Sequence, residues 1–209
     1  MMMLEQKTTE FLDVLSSSAP VPGGGGASAV VGAFASALGM MVTNLTIGKK
    51  KYIDVEAEME DIRSRLEELR QELVGLTDRD AEAFEPLSRA YGLPKETEEQ
   101  RIEKERVMEK ALYEASVVPL QIMKTVFRVM EALEVLGEKG SRLAVSDVGV
   151  AVLFARAALE GASLNIYINP RLMKNREQAE RLNKESDELI AEAGRLQEKI
   201  YTGVLAKIR

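Results

Sequence analysis

Apolar residues recur along much of this chain at steps of three and four. The most regular run is Val55, Met59, Ile62, Leu66, Leu69, Leu73 and Leu76, which is the stripe of one long amphipathic helix. Continuing the same steps reaches Asp80, Ala83 and Leu87, so a carboxylate occupies a position that the pattern reserves for a core residue. A second stripe runs Met108, Leu112, Ala115, Pro119, Ile122, Val126, Val129, Leu133 and Leu136, and Gly137 and Gly140 close it. Pro119 should bend this helix, because proline removes a hydrogen bond and crowds the preceding turn. Between the two stripes, Gly92-Leu93-Pro94 breaks the chain. Leu4, Thr8, Phe11, Leu12 and Leu15 predict a short first helix, stopped by Ser16 to Ser18, Pro20 and Pro22. Leu182, Leu189, Ala193, Leu196 and Ile200 predict a last one.

Two segments are apolar without a clear stripe. Ala27 to Ile47 carries no formal charge and is long enough to span a bilayer. It is diluted by Ser28, Ser36, Thr43 and Asn44, and its small residues Ser28, Gly32 and Ser36 recur every four positions beside Ala29, Ala33 and Ala37. That spacing lets another helix approach backbone to backbone, so the segment reads as a buried central helix. Ser146-Asp147 opens a further apolar helix expected to run to about Ala162, followed by Leu164 to Asn169 and Pro170. Within that segment, Asn165-Ile166-Tyr167-Ile168 has the only β-type composition. The pattern predicts an all-α, single-domain helical bundle over residues 1–209, of about six to eight helices, two of them long and kinked. Large apolar, small-residue surfaces also predict a homodimer.

Composition narrows the chemistry. A net charge of −6 argues against nucleic acid or an anionic membrane as a partner. The chain has no cysteine and no histidine, which removes thiol nucleophiles, imidazole catalysis and Cys/His metal sites together. Acid/base work falls mainly to carboxylates, with Lys or Tyr in reserve. The first seven residues lack a charged segment followed by an apolar one, so the expected location is cytoplasmic.

Asp80 is the leading candidate, since a carboxylate turned inward from a leucine stripe has its pKa raised toward the useful range; a polar break or an ion-paired buried Asp is the alternative. Asp78 lies off the stripe and should be solvated. Gly23, Gly24, Gly25 and Gly26 precede the apolar helix and can present N–H groups to a carboxylate, phosphate or carbonyl oxygen, or simply form a turn. Lys49, Lys50 and Lys51 follow that helix and can hold an anion or offset its C-terminal dipole. Asp147 reads as part of a helix N-terminus, while Asn44 and Asn165 sit in apolar surroundings and need partners.

In order along the chain, Pro20-Val21-Pro22-Gly23-Gly24-Gly25, Asn44-Leu45-Thr46-Ile47-Gly48-Lys49-Lys50-Lys51-Tyr52, Asp80-Ala81-Glu82-Ala83-Phe84, Leu93-Pro94-Lys95, Ser116-Val117-Val118-Pro119, Ser146-Asp147 and Leu164-Asn165-Ile166-Tyr167-Ile168-Asn169 resemble the cyclodeaminase/cyclohydrolase family that acts on one-carbon derivatives of tetrahydrofolate. The resemblance implies an all-helical homodimer that takes a tetrahydrofolate derivative as substrate and needs no metal or redox cofactor. It implies Asp80 as the acid/base residue. It also implies substrate contacts from Pro22, Gly23, Gly24, Gly25, Gly26, Ser28, Asn44, Lys49, Lys50, Asp147 and Asn165. The cyclodeaminase reaction on 5-formiminotetrahydrofolate is the first expectation, hydrolysis of 5,10-methenyltetrahydrofolate at the same site is the second, and a non-catalytic helical folate-binding or scaffold protein is the third. The fourth glycine, Gly26, departs from the family's pattern of three and leaves the loop register open by one residue.

Overall fold

A computed structural model describes residues 2–209, and among these there are six α-helices and no strand. They are α1 (Thr8–Leu15), α2 (Gly24–Asn44), α3 (Glu56–Tyr91), α4 (Glu98–Lys139), α5 (Val145–Leu172) and α6 (Arg176–Ile208). Short 3-10 turns precede α1, α3 and α5.

Local signals set most of the boundaries. Thr97 and Gln100 form a reciprocal cap at the start of α4, with Gln100 N–H donating to Thr97 Oγ1 at 3.2 Å and Thr97 N–H donating to Gln100 Oε1 at 3.1 Å. Asn175 caps α6 by accepting from Gln178 N–H at 3.1 Å. The chain leaves α2 through Gly48 at φ +76°, a left-handed conformation that a side chain would disfavour.

Helix α2 is the axis of the bundle, packed by α3, α4 and α5. The small residues make this closeness possible. A Cβ on Gly32 would lie 2.7 Å from Val126 Cγ2, and one on Gly39 would lie 2.9 Å from Leu66 Cδ1. Ser36 is fully buried and satisfies its hydroxyl by donating to Leu66 O at 2.7 Å. By length and composition α2 could cross a membrane, yet most of it is buried inside the bundle. The leucine stripe of α3 is core as expected, from Met59 through Leu76.

The two long helices of the pattern are α3, with 36 residues, and α4, with 42. Two expectations need correction. Segment α5 does not stop near Ala162; it continues to Leu172, taking Asn165 to Ile168 into the helix. Ile166 is completely buried there, so tertiary packing overrides its β preference. Asp78 is not solvated: its Oδ1 accepts from Met3 N–H at 2.9 Å and its Oδ2 is buried.

Candidate active site

The Pro20 to Gly25 loop, the C-terminal half of α3, the middle of α4 and the end of α5 enclose a cleft of about 310 Å³. One face of α3 forms its floor, since Asp80, Phe84, Leu87 and Tyr91 line it at steps of four, three and four. Ala115 and Pro119 of α4 and Asn165, Ile168 and Asn169 of α5 form the opposite wall.

Asp80 is half-buried at the edge of the core, not inside it. Thr77 and Ala81 are its buried neighbours on α3, while Asp80 itself lines the cleft. Burial pushes the Asp80 carboxyl above the usual carboxylate range, and the Gly26 backbone N–H partly pulls it back.

The glycines have distinct jobs. Gly24 begins α2 and lies beside the Asn165 amide, since an added Cβ would sit 3.9 Å from Asn165 Nδ2. Gly25 leaves room for the Asp80 carboxyl, since a Cβ there would lie 2.6 Å from Asp80 Cγ. Gly26 turns instead toward Thr77, and its N–H is the one that meets Asp80. With Gly23 as the residue before the helix, Gly24, Gly25 and Gly26 carry first-turn amides without helical partners, at the positive end of the α2 dipole.

The wall opposite depends on Pro119. Proline has no N–H to give to the carbonyl four residues back, so Ala115 O loses its helical donor. Asn169 Nδ2 replaces it at 3.2 Å while being almost wholly buried. One polar side chain therefore joins α4 to α5 beside the cleft.

The structure brings together Gly23, Gly24, Gly25, Asp80 and Asn165. Pro22, Gly26 and Ser28 support this group from behind. Pro22 packs near Gly26, and the buried Ser28 donates to Gly24 O at 2.7 Å. The remaining candidates lie elsewhere in the chain. Asn44 is the last residue of α2, Lys49 and Lys50 follow that helix, and Asp147 is in the first turn of α5. Helices α2 and α5 run antiparallel: Ser28 meets Gly161 at the cleft end, while Ser141 N–H donates to Thr46 Oγ1 at 2.9 Å at the other. Twenty-one residues of α2 hold the two groups about 30 Å apart. Within one chain, these four residues stand at the opposite end of α2 from Asp80.

Reading the sequence did not single out Leu87, Tyr91, Ala115, Ile168 or Asn169 as cleft residues, although the α3 steps that lead to Asp80 also lead to Leu87. None of the lining residues is Lys or Arg. Among the described residues no three acidic side chains converge as a ligand set for a metal.

The fold and site define an all-helical domain whose cleft holds one part-buried carboxylate against a glycine-rich helix start. The particular family is given by comparison. The chain belongs to the formiminotransferase-cyclodeaminase family, whose profile matches residues 7–188. It is 46% identical over 198 residues to the methenyltetrahydrofolate cyclohydrolase of Methylorubrum extorquens, spanning 95% of both chains. It is 29% identical over 191 residues to the formimidoyltransferase-cyclodeaminase of Rattus norvegicus, covering 91% of this chain and 35% of that one. The formiminotetrahydrofolate cyclodeaminase of Thermotoga maritima has the same fold, with a TM-score of 0.81 at 33% identity over 98% of this chain and 96% of that one. The protein is an enzyme of folate one-carbon chemistry.

Proposed function

We propose that the protein is a 5,10-methenyltetrahydrofolate cyclohydrolase with Asp80 as its acid/base residue. The observation that carries the site assignment is the Asp80 carboxylate packed on Gly25, at the floor of a cleft walled by Phe84, Leu87, Tyr91 and Pro119. Flat apolar walls suit a pterin and an aminobenzoyl ring, and a carboxylate with a raised pKa suits proton transfer near neutrality. The choice of hydrolysis over deamination, the reverse of the order expected from sequence, rests on the 46% identity to a cyclohydrolase of nearly the same length.

In the forward reaction water adds to the methenyl carbon of the cation. Asp80 takes a proton from that water, giving a tetrahedral adduct between N5 and N10. It then gives a proton to N5 as the carbon–N5 bond breaks, leaving 10-formyltetrahydrofolate and one proton released to solvent. The first-turn amides of α2 face this region and offer donors to the oxygen as charge develops on it.

The cyclodeaminase is a second reading, supported by the likeness to the Thermotoga maritima structure. There N10 attacks the formimino carbon, and Asp80 carries the N10 proton to the departing ammonia. Absorbance of the methenyl chromophore distinguishes the two. Decay of supplied methenyltetrahydrofolate identifies the hydrolase, and growth from 5-formiminotetrahydrofolate identifies the deaminase. Asp80→Asn should lose both by at least about a hundredfold. An unimpaired variant would assign the proton to another group.

A further inference from the structure

The cleft does not end at Tyr91. That residue lines the cleft on one side and, on the other, a second cavity of about 430 Å³ at the α3–α4 turn. The helices that wall the first cavity continue into the second on the same faces. On α4 the cleft residues Pro119 and Ala115 are followed by Leu112 and Met108, at steps of four, three and four, and on α5 Ile168 is followed by Leu172. The two cavities are successive parts of one groove. Alone, the cleft of about 310 Å³ is at the lower limit for a small-molecule site, about 300–1,000 Å³, whereas the two together fall well inside that range.

The second cavity is basic where the first has no cation. Lys95, Arg101, Lys104 and Lys174 line it, against Glu105 and Glu109. Both acids are already engaged: Glu105 pairs with Lys174 Nζ at 2.5 Å, and Glu109 accepts from the backbone N–H groups of Lys174 and Asn175 at 2.7 and 2.8 Å. Lys104 is held without a counter-charge, since its Nζ donates to the carbonyls of Tyr91 and Leu93, both at 2.8 Å, at the end of α3. Among the described residues Lys95 has no carboxylate within ion-pair distance. Arg101 has only the exposed Glu98, at 2.9 Å, a kind of pair that holds its members weakly.

We propose that this second cavity seats the glutamate tail of the substrate, and that Lys95, Arg101 and Lys104 make the enzyme favour folates with several glutamates over those with one. Asp80 and Tyr91 stand about 16 Å apart along α3, a span of the order of an aminobenzoyl ring, its amide and one glutamate. With the reacting carbon at Asp80, the first glutamate comes to Tyr91, and each further γ-linked glutamate adds a carboxylate among the cations. The inference rests on the folate reading for its ligand; the continuous groove and its charge stand without it.

Tail length tests it. Methenyltetrahydrofolate with three glutamates should show a KM about tenfold below that of the monoglutamate, the effect of a few exposed charge pairs acting together. Lys95→Glu/Arg101→Glu alters two exposed side chains and should raise the triglutamate KM to the monoglutamate value or above it, with kcat and helical content kept. Lys184→Glu, on α6 and lining neither cavity, should leave both KM values alone. Equal KM values for the two lengths in the wild type, or a preference that survives in Lys95→Glu/Arg101→Glu, overturns the proposal. So does an equal loss of preference in Lys184→Glu, which would assign the effect to net charge. A second readout needs no turnover. In titration calorimetry p-aminobenzoyl-triglutamate should bind the wild type and Asp80→Asn alike, and Lys95→Glu/Arg101→Glu about tenfold more weakly. Unchanged binding in that variant, or displacement of the probe by inorganic phosphate as readily as by tri-γ-glutamate, also overturns the tail site. Wild-type protein inert toward methenyl folates of either length, with the probe still bound through Lys95 and Arg101, would instead overturn the assigned reaction and leave the tail site standing.

Discussion

At the scale of single residues, Gly25 and Asp80 act as one unit. A methyl group at Gly25 would occupy the place of the Asp80 carboxyl, but the displaced atoms belong to a short side chain that can rotate toward the open cleft. Gly25→Ala should therefore fold normally, helped by the better helix propensity of alanine. Turnover should fall by about a hundredfold, since a displacement of about 1 Å is enough for such a loss; circular dichroism and the methenyl assay report the two effects separately. Asp80 also carries a stability cost. Its folded pKa is raised by burial, so the folded state holds the proton more tightly than the unfolded chain does. This contribution is fully present below the unfolded pKa and is lost as pH rises through the raised folded value. Asp80→Asn should thus melt higher than wild type at neutral pH, by about 2–4 °C, with the two melting curves converging in acid. An equal or lower Tm at pH 7 would mean the carboxylate is not desolvated in solution.

The behaviour of the elements shows which parts of the site could be read in advance. The α3 stripe announced both the helix and Asp80, because the signal is local: one carboxylate on a run of leucines. The far wall could not be read this way. Asn169 matters because α5 lies beside the α4 turn that Pro119 has stripped of a donor, and no periodicity within either segment encodes that adjacency. The α5 boundary differs for a related reason. Asn165 to Ile168 has β-type composition in isolation, whereas Ile166 is sealed in the core. The Pro119–Asn169 pairing makes a quantitative prediction. Asn169→Leu should cost about 1–3 kcal/mol by leaving Ala115 O without a donor in a buried setting. In a Pro119→Ala background, the new N–H of residue 119 can serve that carbonyl and the same substitution should cost about 1 kcal/mol less. Urea denaturation of the four proteins in the cycle measures the coupling. Additive effects would show that Asn169 does not compensate for the proline.

At the scale of the whole molecule, one helix serves two purposes that compete for its surface. The inward faces of α2 are stripped to Gly, Ala and Ser so that α3, α4 and α5 can close around them, with Ala29 and Ala35 fully buried. The outward face keeps Phe34, Met41 and Leu45, which the fold of one chain leaves partly exposed. That division explains why the segment looks like a membrane span in composition while most of it is enclosed by protein. It also explains why the candidate residues fall into two groups, one at each end of α2. If the outward face is where two copies meet, the interface and the cleft should fail together. Phe34→Glu places a charge at the centre of the apolar face without touching Asp80, the glycine loop or Asn169. Burying two such charges against each other across a two-fold axis costs several kcal/mol. The variant should keep its helical content and run as a monomer in sedimentation. A rise of its KM alongside the loss of assembly would tie the cleft to the outward face of α2. A folded monomer with the wild-type KM would separate assembly from catalysis and make the single-chain cleft sufficient.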